Sequence, residues 1–171
     1  GFEICRRVRA TDRETAVILL TARTTDDDII HGLQLGADDY VAKPFSVAQL
    51  VLRVNAVLRR TLGAPLEAQR FALVDGTVVD PSNLQGSRGA TVLVFTRREM
   101  ALLQYLYAQR VRAVSREELL QRVWGYANAQ EIETRTVDIH IAKLRRKLEV
   151  DPADPRVLLT VRGAGYRLLG A

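Results

Sequence analysis

The chain has 171 residues, 47% of them hydrophobic, with a formal net charge of +5 and a single cysteine. That is enough apolar material for one large or two small domains with real cores, while one cysteine excludes an internal disulfide and no apolar run is long enough to span a bilayer. Nothing therefore argues for membrane insertion or a disulfide-rich secreted scaffold, and a cytoplasmic protein is the default. The sequence pI is about 9.8, which suits a polyanion partner, although basicity alone decides little. Cutting after Leu62 leaves 9 basic against 8 acidic residues before the cut and 16 against 12 after it, so the second half carries the positive field. There is no initiator Met and no signal-peptide pattern at Gly1, and the chain is read as beginning partway into a longer product.

The opening GFEICRRVRA places Phe2, Cys5 and Val8 on one helical face, with Cys5 as a small core residue. AVILLTA is a continuous apolar run, as expected of a parallel strand covered on both faces, and the strand ends at Thr21. Thr24 or Thr25 then caps a helix whose first turn holds Asp26, Asp27 and Asp28, acids suited to the positive end of a helix dipole. They are not read as a three-carboxylate metal site, because residues one and two apart on a helix do not share a face. Gly36 closes this helix, and DDYVAKPF reads as a second short buried strand ending at Lys43-Pro44. Ser46 and Gln49 form a capping box for a further helix with Leu50, Val51, Val54, Val57 and Leu58 on its apolar face. Helix, strand, helix, strand, helix implies a parallel sheet wound with helices, yet two strands cannot bury such faces alone.

TLGAPLEAQR has no sustained period and reads as a linker. FALVDGTVVD is a hairpin candidate with Asp75-Gly76 at its turn, PSNLQGSRG a loop, and ATVLVF another strand. Capping boxes at Thr96 to Glu99 and Ser115 to Glu118 each open an apolar-periodic helix, the first carrying Met100, Leu103, Leu106 and Tyr107, the second Leu119, Leu120, Val123 and Trp124. After the loop GYANAQEIE, the stretch Thr134 to Glu149 places Val137, Ile141, Leu144 and Leu148 on a narrow buried stripe. Thr136, His140, Lys143 and Lys147 repeat that spacing one position earlier, with Arg135, Arg145 and Arg146 beside them. By itself this cationic face fits a solvated surface as well as it fits phosphate. DPADP stops the helix, and VLLTVRGAGYRLL reads as a hairpin with a basic tip at Arg162. A basic helix followed by such a hairpin is a winged helix-turn-helix, in which the helix can enter a major groove and the wing an adjacent minor groove.

RTVDIHIAKLRRKLE, VWGY and TVRGAGYRL together resemble the DNA-binding domain of OmpR/PhoB-type response regulators, and GFEICRRVR, LLTAR and GADDYVAKPFS resemble the last half of a receiver domain. The resemblance implies a flavodoxin-like α/β partial receiver lacking its first strands over 1–62, a linker at 63–69 and an α+β winged helix-turn-helix over 70–171. In such receivers Thr21 matches the hydroxyl that senses a phosphoryl group, Lys43 the lysine that pairs with it, and Tyr40 the aromatic residue that reorients on activation. The phosphate-accepting Asp and the Mg²⁺-holding acids of that family fall upstream of Gly1. No catalytic residue or cofactor is thus expected in this chain, with Mg²⁺ entering only alongside an upstream receiver half.

The resemblance also implies a homodimer through Asp38, Asp39, Arg53 and Arg60. Ile29 and Gln49 stand where relatives carry a basic residue and a Glu, so the dimer is expected to be less salt-dependent. Toward DNA it sets Arg135 and His140 against phosphates, Thr136 and Lys143 toward base edges, Arg145 and Arg146 near either, and Thr160 and Arg162 on the wing. The implied partners are double-stranded DNA, a second copy of the chain, a sensor histidine kinase and, through the GYANAQEIE loop, RNA polymerase. The expected function is a sequence-specific transcription regulator of a two-component phosphorelay, dimerising through the receiver and binding repeated half-sites. The alternative is a truncated regulator that binds DNA without phosphorylation or acts as a dominant-negative dimer partner. Enzymatic function is not expected: the sequence holds no paired carboxylate site, no zinc-spaced Cys/His set, no nucleophile elbow and no phosphate-cradling glycine loop.

Overall fold

A computed structural model describes residues 1–22, 25–61, 69–126 and 135–171, with the backbone alone at 26 and 59–61. The first half runs α1 (Phe2–Thr11), β1 (Ile18–Thr21), α2 (Asp26–Gln34), β2 (Asp39–Ala42) and α3 (Val47–Thr61), in the predicted order. Thr25 caps α2, its hydroxyl accepting from the Asp28 amide at 3.3 Å. β1 and β2 pair in parallel, Ile18 against Asp39 and Thr21 against Ala42. The carboxyl ends of both strands therefore lie together, and the Lys43 amide donates to the Thr21 carbonyl at 2.7 Å.

The expectation that β1 is covered on both faces fails, while the apolar face of α3 is left open as two strands alone would leave it. Leu20 on β1 is 44% exposed, and Val51, Val54 and Leu58 on α3 are also exposed, leaving Ala56 and Val57 as the buried residues among that helix's described side chains. A two-stranded sheet has too little area to cover both its own faces and a flanking helix.

The second half opens with a four-stranded antiparallel meander, β3 (Phe71–Ala72), β4 (Val78–Asp80), β5 (Gln85–Arg88) and β6 (Thr91–Val94). Asp75-Gly76 makes the first turn as predicted, with Gly76 at φ 81°. β5 falls within the stretch PSNLQGSRG that reads as a loop in the sequence. Gln85-Gly86-Ser87-Arg88 shows no apolar alternation, and it is a strand because its backbone completes the ladder between β4 and β6. Gly86 leaves room for Phe95 there; a Cβ would meet that ring at 3.2 Å.

α4 (Arg97–Ala108) carries both halves of its capping box, Glu99 N to Thr96 Oγ1 at 3.2 Å and Thr96 N to Glu99 Oε2 at 2.8 Å. Ser115 caps α5 (Arg116–Leu119), which continues into a π-helical turn, Leu120–Trp124. α6 (Arg135–Leu148) follows, then the hairpin β7 (Leu158–Val161) and β8 (Gly165–Leu168). The linker core, the proposed boundary at 62 and most of GYANAQEIE lie outside the described residues. Val137, Ile141, Leu144 and Leu148 are buried as expected, in one core with Phe95, Trp124 and Leu158.

The hairpin is fixed to the helices at two points. The Glu149 carboxylate, just past α6, accepts from the backbone amides of Arg156, Val157 and Leu158 at 2.8–3.2 Å. Val114, ahead of α5, exchanges backbone hydrogen bonds with Tyr166 at 2.8 and 2.9 Å. Gly165 makes that approach possible: it sits at φ 126°, and a Cβ would lie 2.0 Å from the Val114 carbonyl oxygen. Gly165→Ala is expected to lower stability by about 3 kcal/mol, read as a shift of the urea midpoint. An unchanged midpoint would show that the wing does not need this contact.

Candidate nucleic-acid interface

α6 buries one stripe in its own domain, so its adjoining polar side chains should face solvent or DNA. They do not. Thr136, His140 and Lys143 are only 2%, 1% and 8% exposed, which corrects the expectation that this face lies open. The cover is α2. Ile139, on the same side of α6, lies in a cluster with Cys5, Leu19, Ile29, Leu33, Ala37 and Tyr40, all from the first half of the chain.

Lys143 Nζ donates to the Leu33 carbonyl at 2.8 Å, placing a cation at the negative end of α2. Nζ also lies 3.4 Å from Glu99 Oε1. Burial lowers the Lys143 pKa while Glu99 opposes that shift. For Glu99, burial acts to raise the pKa, but the ammonium groups of Lys147 and Lys143 outweigh it and hold the carboxyl below its ordinary range. Lys147, counted in the sequence with the cationic face, instead donates to Glu99 at 2.6 Å and to the Val94 carbonyl at 2.9 Å. His140 Nδ1 donates to the Thr136 carbonyl at 2.8 Å, and its ring meets the Trp124 ring edge-on at 5.1 Å.

Arg145 is a brace. Its Nε donates to the Leu158 carbonyl at 2.9 Å and its Nη2 to Thr160 Oγ1 at 2.8 Å, tying α6 to the wing. Arg146 and Arg162 are exposed and Arg135 is half-buried. The Gln34 amide satisfies its hydrogen bonding when its oxygen faces Arg146, 2.9 and 3.1 Å from the two terminal nitrogens.

The residues expected at a dimer face are likewise engaged within the chain. Asp38 accepts from Arg9 at 2.9 Å and from the Val17 amide at 2.7 Å, and lies 3.8 Å from Arg98 Nε. Burial pushes its pKa up against the pull of Arg98. Asp39 accepts from Arg53 at 2.7 Å and from the Tyr126 hydroxyl, while the Trp124 indole nitrogen donates to the Asp38 carbonyl at 3.1 Å. Ile29 is buried, Gln49 is exposed and the Arg60 side chain lies outside the described residues. Asp38 and Asp39 are thus engaged by Arg98 of α4 and by Trp124 and Tyr126 at and past the π-helical turn, Arg53 is paired with Asp39, and Ile29 is buried in the cluster that holds Ile139. Arg98 and Tyr126 were missed in the sequence, where no period distinguishes a cation or phenol that contacts another domain.

At the other end of the sheet, Thr21 is half-buried, Lys43 exposed and Tyr40 turned into the core. Among the described residues no three His, Cys, Asp or Glu side chains converge as candidate metal ligands.

Comparison with known proteins bears on both halves. The model of the response regulator receiver domain matches residues 1–55, and that of the transcriptional regulatory protein, C terminal, matches residues 90–168. The chain is 40% identical over 171 residues to the sensory transduction protein RegX3 of Mycobacterium tuberculosis, covering 99% of this chain and 74% of RegX3. Among solved structures, the response regulator DrrB, a Thermotoga maritima OmpR/PhoB homolog, superposes with a TM-score of 0.51 at 32% identity, covering 99% of this chain and 74% of DrrB. The DNA-binding domain of Klebsiella pneumoniae RstA, solved in complex with the RstA box, superposes with a TM-score of 0.51 at 25% identity, covering 59% of this chain and 97% of that domain.

The two halves therefore define a receiver domain joined to a C-terminal DNA-binding domain. The chain belongs to the OmpR/PhoB-type response regulators. It spans 66–74% of the length of curated relatives it matches, which are named a probable transcriptional regulator, a sensory transduction protein and a DNA-binding response regulator.

Burial of His140 has a measurable consequence. Its pKa is pushed down to about 3, mainly by desolvation and then by Lys143. A histidine whose folded pKa lies below its unfolded value near 6.5 contributes stability that is present above pH 6.5 and lost as pH falls toward 3. Acidification from pH 7 to pH 5 should remove about 2 kcal/mol through this group. His140→Gln should lose correspondingly less over that interval in paired urea titrations; equal losses would remove His140 as the cause.

Proposed function

We propose that this chain is the later part of a two-component transcription regulator that reads duplex DNA through α6 and the β7–β8 wing. The observation that carries the reading is the Arg145 brace: by bonding Leu158 and Thr160 it fixes the recognition helix and wing as one unit, with Arg146 and Arg162 exposed on it. In the DNA-bound form Arg135, Arg146, Arg162 and His140 serve phosphates, while Thr136 and Lys143 turn toward base edges. Arg145 and Thr160 hold the wing in position, beside the contact to phosphate or bases that the resemblance implies for Arg145.

In this reading residues 1–62 are the later part of a flavodoxin-like receiver without its first strands, 63–69 a linker and 70–171 the winged domain. Thr21 and Lys43, side by side at the strand ends, supply a hydroxyl and an ammonium for an anionic phosphoryl group carried by an upstream aspartate, and Tyr40 responds to it. Mg²⁺ belongs to that upstream half. A sensor histidine kinase supplies the phosphoryl group, and the activated regulator dimerises through Asp38, Asp39, Arg53 and Arg60, with Ile29 and Gln49 beside them. The dimer binds repeated half-sites and meets RNA polymerase, in the cytoplasm where the DNA lies.

Binding-site selection tests the assignment. Lys143→Ala should cost about 1 to 3 kcal/mol of discrimination at one base position. Arg135→Ala should weaken all duplexes alike and reduce the salt slope by about 0.9. If both variants keep the parent's preference, Lys143 does not read bases.

A further inference from the structure

We propose that Asp138 is a positioning residue for DNA reading: by holding Arg116 and Tyr166 at once it fixes the angle between α6 and the wing, and so sets the offset at which helix and wing meet a duplex. The inference rests on the DNA-reading function argued above and adds what aligns its two reading elements.

Three elements converge on Tyr166. Its hydroxyl, on β8, donates to Asp138 Oδ1 at 2.6 Å and accepts from Arg116 Nη2 at 3.0 Å, while Arg116 Nε donates to the same Oδ1 at 2.6 Å. α5, α6 and the wing thus each contribute one member to a closed cycle in which every member is held by the other two. Desolvation, then the bond to Asp138, pushes the Tyr166 pKa up to about 12, so the phenol keeps its proton and stays a donor at neutral pH. The ring is engaged as well: the Arg116 guanidinium lies 4.9 Å from its centroid and that of Arg145 lies 5.8 Å away.

One brace locates a helix; two orient it. Arg145 ties α6 to Leu158 and Thr160 of the wing, and Asp138 stands about two helical turns earlier, about 10 Å along the axis. With the Arg145 contact alone α6 could pivot against the wing. A second contact that far along the helix removes the pivot.

The chemistry of the pair fits this part. Asp138 is the acid of the first turn of α6, between Thr136 and His140, which the proposed function turns toward DNA. A lone carboxylate there would be repelled by phosphates, and Arg116 cancels its charge. Stability is not what the pair supplies, because the Arg116 and Asp138 side chains are 36% and 41% exposed and ion pairs so open to water add little. What it supplies is a fixed geometry.

Binding-site selection on the whole chain gives the parent's preferred duplex. Derivatives with one base pair inserted or removed between the segment under α6 and the segment under the wing then read the offset. One base pair displaces the second groove by about 3.4 Å and about a tenth of a helical turn, beyond hydrogen-bond reach. The parent is expected to lose at least tenfold in affinity for either derivative. Asp138→Ala should cut that loss to threefold or less while keeping the base preference under α6. Asp138→Asn, whose amide oxygen still accepts from Tyr166, should restore most of the loss. Asp138→Ala with the parent's offset penalty overturns the positioning role and leaves DNA reading intact, as does a parent that tolerates both derivatives. If Asp138→Ala does not fold, Tyr166→Phe, which removes the hydroxyl alone, makes the same comparison with the same two outcomes. A parent that selects no sequence overturns DNA reading and the positioning role with it.

Discussion

α6 is buried on two sides, and most of what is unusual in this chain follows from that. Val137, Ile141, Leu144 and Leu148 anchor it in the winged domain, while Ile139 anchors it in the first half. Full burial of a side chain the size of Ile139 contributes about 2 kcal/mol. The ordinary rule for a surface helix, one apolar stripe and one wet face, is broken at the helix whose wet face matters most. The second burial is also polar. Lys143 must give up water, and Leu33's carbonyl and the Glu99 carboxylate replace only part of its hydration.

Glu99 links the two burials. As the third residue of α4 it completes a capping box, a local task. The same carboxylate then accepts from Lys147 and stands beside Lys143, so a helix cap, the packing of α6 on α4 and the cation facing α2 share one buried anion. Asp38 plays a matching part on the other side, between Arg9 of α1 and Arg98 of α4. Buried charges of this kind add little net stability against apolar replacements, but their mutual dependence makes one arrangement specific.

The sequence was most legible where a local rule acts within a few residues. The capping boxes at Thr96 and Ser115, the Asp75-Gly76 turn and the stripe on α6 are each enforced by backbone geometry between near neighbours, and each formed where its residues stand. β5 was not legible, since Gln85 to Arg88 become a strand only because two other strands need the ladder between them. The apolar row on α3 was legible as a row, and its exposure follows from the shortage of strands the sequence also shows, because periodicity reports that residues share a face and not that anything covers it.

The candidate site divides the same way. By itself the sequence determined a basic recognition helix, a glycine-dependent wing behind it and two strand ends carrying Thr21 and Lys43, since spacing, glycine conformation and charge are properties of short segments. Only the tertiary structure decided that Arg145 braces the wing, that Thr136, His140 and Lys143 are buried, Lys143 against α2, and that Asp38 and Asp39 bind the chain's own second half. Those outcomes depend on contacts between residues up to 110 positions apart, and which of two available surfaces meets a given side chain is settled by packing that no local pattern encodes.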